Sequence, residues 1–531
     1  MYGKELTQAY QAFRDAGDEI KDKILIIEAV WHRSSIQIQF ARRIFSTVPA
    51  EYCRVHLDAF ETLKAKLATA VNKLESVAAP FSKDSRTGIV IGKLKYAIIR
   101  DSLDAAISDL ERWQRVFDPT WFLLLRIGDK LIDSELTPKV VLPSNPPSQP
   151  PATPTPLLTA RNLRGALSSG SPVEVHVSLP ENGLDWETAV PIPYSSSTRI
   201  IQRAGSTKFF VVDTIVCDSH LNIASARTDA ESLAKKLRHI DPSVFGLLAC
   251  HGIIKRKDKS SGRLSFIDLI FRPPAGPAET KLYRAYTLRE RLMQPRGLIS
   301  LTQVLDIARK LASAVSFIHT CEFVHKNIRP EAIVFFGNPD DECGDLGSAY
   351  ILGFDSFRNI NFQTMRKGDV AWHRNLYRHP QRQGVRANEA YVMQHDVYSL
   401  GVCLLELGLW ESFVSYRKEG MEGQTVVPNE SMTQLLGDVV SGDGGEVESA
   451  LPPPSGVRAK ERLVHLARTR LPVKMGDRYT AVVVTCLTCL DEDNVDFFGD
   501  AGEDTMQDKD GVLVGARFIE KVLFRLDEIC V

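Results

Sequence analysis

The chain has 531 residues, of which 44% are hydrophobic and 25% charged, a mixture that supports buried cores and excludes disorder along its whole length. Its 65 basic and 66 acidic residues nearly cancel, so no charge surplus points to nucleic acid or to a basic partner. The nine cysteines are scattered and odd in number, no signal-peptide pattern opens the chain, and no run of about 18 apolar residues occurs, so the cytoplasm, with the nucleus as alternative, is the expected compartment.

Residues 1–135 are rich in Leu, Ile, Ala, Glu and Lys and read as helices, with Pro49, Pro80 and Pro119 as the expected breaks. Phe60, Leu63, Leu67, Val71, Leu74 and Val77 follow in steps of three or four and form one apolar stripe. A second runs through Leu94, Ile98, Ile99, Leu103, Ile107, Leu110 and Trp113. Such faces need partners, and a four- or five-helix bundle is expected, with segments 6–20 and 24–45 supplying further helices.

Between residues 143 and 156, seven of fourteen residues are proline, which predicts an extended spacer within a linker and connecting arm spanning 136–195. β-Branched runs then predict strands at 208–216, 245–254 and 264–271, with a helix over 226–239, in a β-rich region 196–280. Region 281–531 reads as mainly helical, with helices at 301–320, 396–409, 457–470 and 516–529. Cys486 and Cys489 share one helical face in an apolar stretch. No second ligand pair lies nearby, so packing is expected there and no metal site.

Residues 325–332 read His-Lys-Asn-Ile-Arg-Pro-Glu-Ala. This string resembles the protein-kinase catalytic loop, His-Arg-Asp-Leu-Lys-Pro-Glu-Asn. The resemblance implies that Asn327 stands where the loop aspartate accepts the substrate proton and Ala332 where an asparagine helps hold magnesium. An amide cannot serve as a carboxylate base, and a methyl group offers a hard cation no oxygen. Arg329 replaces the usual lysine. Leu352-Gly353-Phe354-Asp355 is similar to the Asp-Phe-Gly region, with Gly353 at the metal-binding position, Phe354 retained, and Asp355 displaced by two residues. Asp396-Val397-Tyr398-Ser399-Leu400-Gly401-Val402 resembles the helix that holds the catalytic loop from below through its aspartate. Arg478 resembles a late arginine that would meet Gln381, the replacement for a glutamate. His325, Arg329, Phe354, Asp396 and Arg478 are therefore expected to maintain the scaffold.

The kinase signature thins out upstream. No Gly-x-Gly-x-x-Gly cradle precedes the strands, and Val211-Val212-Asp213-Thr214-Ile215-Val216 carries no lysine where the family has one. Lys208, Glu231 and Asp355 are the remaining nucleotide-site candidates, with Lys208 expected at a solvated strand end and Glu231 paired with Lys235 at a helical spacing of four. ATP with magnesium is disfavoured.

The expected fold is thus multidomain, an N-terminal helical bundle joined to an α+β two-lobed kinase-like region. That layout, with Trp31-His32-Arg33 in the bundle, is similar to fungal proteins that couple a HeLo-type (prion-inhibition and propagation) domain to a kinase-like domain. The resemblance implies a catalytically impaired signalling or scaffold protein that engages a protein partner or a second copy through the helical domain. A membrane-acting cell-death effector and an atypical ATP-binding kinase remain alternatives.

Overall fold

The structure is a computed structural model that describes residues 18–81, 86–124, 134, 164, 177–217, 223–238, 240–258, 260–274, 284–294, 299–337, 346–359, 371–383, 390–419, 423–430, 432–433, 456–498 and 512–530. The proline run 143–156, segment 6–17 and the side chains of Val77 and Leu94 lie outside the described residues. The chain divides into two compact units, Met1–Gly165 and Ala166–Val531. Among the described residues no helix is long and apolar enough to cross a membrane.

The first unit contains helices α1 (Asp18–Ile44), α2 (Ala50–Phe81) and α3 (Arg86–Leu123). Pro49 stands just outside α2, where its missing N–H costs nothing, and its carbonyl accepts the first helical bond from Cys53 N at 3.0 Å. The α2 stripe is buried at Leu63, Leu67, Val71 and Leu74, and the α3 stripe at Leu103, Ile107, Leu110 and Trp113. Ile98 is 73% exposed. The buried face of α3 runs back from Leu103 at helical steps that miss position 98, so this isoleucine turns outward.

Pro119 is not a break. Helix α3 runs through it, because the turn it belongs to is anchored by packing: Trp121 is fully buried against Phe40, ring centroids 5.9 Å apart, and Tyr52 donates to the Thr120 carbonyl. Pro80 likewise lies inside α2. A polar layer sets the register of α1 against α3. The buried Asp118 carboxylate accepts from Gln37 Nε2 (3.0 Å), Gln114 Nε2 (3.1 Å) and Arg33 Nη2 (2.6 Å).

The second unit begins earlier than its expected start at 196. Residues 177–179 run along the edge of a five-stranded antiparallel sheet, and β1 (Leu184–Pro191) is its outer strand, so the last part of the expected connecting arm belongs to the sheet. The sheet continues with β2 (Thr198–Arg203), β3 (Phe209–Val216), β4 (Cys250–Lys257) and β5 (Leu264–Phe271), in spatial order β1-β2-β3-β5-β4. Leu179 N donates to Ile253 O at 2.8 Å and Ile253 N to Val177 O at 2.7 Å, which caps the free edge of β4. A side chain at Gly252 would bring its Cβ within 2.4 Å of Val177 O, so only glycine allows that approach. Phe245, expected as the start of a strand, instead ends a single helical turn, Pro242–Phe245, capped by Asp241 with Pro242 at its first position, and the strand begins at Cys250.

Helix α4 (Ile223–Leu237) lies against the sheet. A mainly helical part follows a short strand β6 (Arg284–Thr287). Its helix α5 (Leu301–Thr320) starts on a capping box, Ser300 with Gln303, and buries its apolar stripe. Helix α6 (Met393–Leu409) is buried on nearly all sides, as its unbroken apolar run requires, and α7 (Gly456–Leu487) packs against it with a kink at Gly476. Cys486 and Cys489 are buried in this packing as free thiols.

Candidate functional site

Loop 325–332 follows α5 and is held from below by α6. The Asp396 carboxylate, fully buried, accepts from His325 N (2.7 Å), Lys326 N (2.9 Å), the Tyr391 hydroxyl (2.7 Å) and His319 Nε2 (3.2 Å). Burial alone would raise its pKa; the hydrogen bonds from His319 and Tyr391 and the nearby imidazoles outweigh that and hold it low. Lys326 takes a left-handed φ of 68°, and its ammonium lies 5.7 Å from the Tyr391 ring centroid. Burial, followed by the charges of Arg358, Arg382 and Arg378, pushes that ammonium down to about 8.

Above the loop, Asn327 is fully committed. Its Nδ2 donates to Gly353 O (3.1 Å) and Asp355 Oδ1 (3.0 Å), and its Oδ1 accepts from Arg329 Nε (2.8 Å). Gly353 has φ 81°, and a Cβ there would meet Ala332 Cβ at 3.0 Å and Asn327 Nδ2 at 3.1 Å. Glycine is therefore required by both dihedral and space. Phe354 is buried between Phe271 (6.0 Å) and His325 (4.8 Å), centroid to centroid, and so joins sheet to loop.

The residue that organises the site was not singled out by its pattern. Asp213, at the middle of β3 and fully buried, accepts from Gly353 N (2.8 Å) and Phe354 N (2.6 Å) on Oδ2 and from Ser197 Oγ (2.6 Å) on Oδ1. Burial pushes its carboxyl up to about 6, with the charge of Asp355 adding to that and the three hydrogen bonds opposing it. An acid inside a β-branched strand was the available signal, since a buried carboxylate must find donors.

The remaining candidates separate. Lys208 is exposed before β3, as expected of a solvated strand end. Glu231 does not pair with Lys235; it is held by Lys255 Nζ of β4 at 2.6 Å and Arg227 Nε at 3.0 Å, and these cations keep its carboxyl low despite partial burial. Helical spacing suggested the wrong lysine because β4 presents a nearer one across the helix–sheet contact. Arg478 does not meet Gln381. It is exposed and donates to Glu528 O at 3.5 Å, since it follows the Gly476 kink and is directed at the C-terminal turn.

A buried ionic cluster also escaped sequence reading. Arg289, fully buried, donates to Glu331 (3.0 Å), Glu406 (2.9 Å), Ser412 (2.6 Å) and the Tyr377 hydroxyl. Burial would raise Glu331, but Arg289 and Arg329 hold it at about 2. An arginine between Leu288 and Glu290 carries no mark of such a role.

No family model matches the chain. Its similarity to curated proteins is partial and consistent in kind. It is 30% identical over 128 residues to a Mycoplasma pneumoniae protein assigned as a serine/threonine-protein kinase, covering 23% of this chain and 33% of that one. It is 32% identical over 103 residues to a serine/threonine-protein kinase-like protein of Arabidopsis thaliana (19% and 27%), and 25% identical over 139 residues to mitogen-activated protein kinase kinase 7 of the same plant (26% and 42%). The chain is protein-kinase-like. The matched stretches span less than half of each of these relatives.

In this kinase-like chain the loop backbone is supported from α6 by Asp396. Asn327, Ala332 and Gly353, which the resemblance would set at base and metal positions, meet one another here, and Asp213 holds the Gly353 and Phe354 amides. Among the described residues no group of three or more His, Cys, Asp or Glu side chains is placed to hold a metal ion. These residues do not fit a magnesium nucleotide: Asp213 would face phosphate with like charge and already accepts from Gly353 N, Phe354 N and Ser197 Oγ, and Asp355 Oδ1 already accepts from Asn327.

Proposed function

We propose that this chain is a kinase-like signalling or scaffold protein that does not transfer phosphate and works by binding a protein partner. The observation that carries the reading is the Asp213 carboxylate bonded to the amides of Gly353 and Phe354. A phosphoryl-transfer site must gather positive charge around the triphosphate and its leaving group. Here the centre of the site holds a buried carboxylate satisfied by the chain's own donors. The neighbouring Asn327 spends its amide on Gly353 and Asp355, so it is unavailable to a substrate hydroxyl.

The helical unit supplies the interaction surface in this proposal. Its helices bury one face each, while Leu25, Leu57 and Ile98 remain 54%, 45% and 73% exposed. The test is phosphate incorporation into the protein and generic substrates with labelled ATP and magnesium. The wild type should match Asn327→Ala, and incorporation lost on that substitution would refute the proposal.

A further inference from the structure

We infer that the β1–β2 turn and Asp213 form an internal clasp that closes the nucleotide cleft, so that nucleotides are excluded as well as left unreacted. The inference rests on the kinase-like reading of the cleft and goes beyond loss of catalysis. In kinases the turn between the first two strands is a glycine-rich cover for phosphates, whereas here residues 192–197 read Ile-Pro-Tyr-Ser-Ser-Ser. Backbone amides free to wrap an anion are replaced by side chains that bind inward.

The turn is tied at both ends and in its middle. Ile192 is buried, and Ile192 N donates to Thr198 O at 3.1 Å, closing the hairpin. The Pro193 carbonyl accepts from the Thr287 hydroxyl at 3.0 Å, which joins the turn to the start of the helical part. Tyr194 holds a left-handed φ of 65°, a strained backbone for a non-glycine residue, and its ring lies 4.8 Å from that of Tyr416. Ser197 then donates to Asp213, which grips Gly353 and Phe354. One continuous chain of contacts thus runs from Tyr416 and Thr287, through the turn, to β3 and the 353–354 segment.

Tyr416 is itself fixed. Its hydroxyl donates to Glu331 Oε1 at 3.0 Å, within the Arg289 cluster, so the platform under Tyr194 is set by buried ion pairs. A phosphate group entering the cleft would have to lift the turn from this platform and displace two amides from a carboxylate that repels it. Strain at Tyr194 is the feature that marks the turn as held in place by its contacts rather than by its own preference.

The test uses the full chain, with a fluorescent ATP analogue titrated with and without magnesium and hydrogen exchange followed at residues 192–198 and 353–354. The wild type should show no saturable binding at millimolar nucleotide and slow exchange in both segments. Ser197→Ala combined with Tyr416→Ala should speed exchange of the turn at least about tenfold, which corresponds to about 1.4 kcal/mol of lost closure. Tyr416→Phe keeps the ring against Tyr194 and loses the bond to Glu331, so its turn should open less than that of Tyr416→Ala. Saturable binding by the wild type, unchanged exchange in the double variant, or equal opening by Tyr416→Phe and Tyr416→Ala would each overturn the clasp. Wild-type binding without phosphate transfer would remove the clasp and leave the non-catalytic proposal standing.

Discussion

At the scale of single residues, the site is balanced for the groups it has, and returning a kinase residue should not return the chemistry. Asn327→Asp would replace a donor with a carboxylate about 3 Å from Asp355 and from the Gly353 carbonyl. Two carboxylates so placed cannot both ionise without penalty, and a loss of about 1–3 kcal/mol of stability is expected with no gain of activity. Chemical denaturation with a parallel transfer assay checks both halves; a stable, active Asn327→Asp protein would contradict the assignment. Asp213 gives a pH signature. Its carboxyl titrates at about 6 when folded against an ordinary 3.8, so its contribution is fully present below pH 4 and is lost as the pH rises to 6. Two units correspond to on the order of 3 kcal/mol. Buried His379 and His395, both lowered to about 3 chiefly by burial, act oppositely by losing stability as the pH falls below 6.5. The informative quantity is therefore the stability of Asp213→Asn minus that of wild type, which should grow in favour of the variant between pH 4 and 6. A constant difference would show that the carboxylate is better solvated than its burial implies.

At the scale of elements, α6 supports the loop through one carboxylate. Asp396→Ala would leave two backbone N–H groups, a tyrosine hydroxyl and an imidazole without their acceptor, at about 1–3 kcal/mol for each buried donor left unpaired. Loss of the folded second unit or a large fall in melting temperature is expected, and an unchanged melt would mean that the loop is held otherwise. This support was legible in sequence because the Asp-Val-Tyr-Ser-Leu-Gly run and the His325 loop are local strings, and helix 301–320 and strand 264–271 were legible because their periodicity is unbroken. Strand β1 was hidden in a Ser- and Gly-containing stretch whose strand character comes from pairing with β2. Glu231, Arg478 and Pro119 were misjudged for a common reason: spacing along one element says little about which charge or apolar pocket another element brings near. The clasp was illegible because Ser197, Asp213 and Gly353 are separated by long stretches of chain and meet only through the fold.

At the scale of the molecule, two compact units, Met1–Gly165 and Ala166–Val531, each carry a core of their own. Expressed separately, residues 1–165 should give a helical circular dichroism spectrum and residues 166–531 should melt cooperatively; a disordered first fragment would show that its core needs the rest of the chain. The central claim is that the second unit keeps the frame of a kinase and has lost its reaction. The most direct test is a single-turnover experiment with full-length protein in excess over ATP, with magnesium and then manganese, in which ADP and labelled protein are quantified together. We expect neither product above the level given by Asn327→Ala. ADP formation or labelling that depends on the metal and disappears in Asn327→Ala would contradict the account.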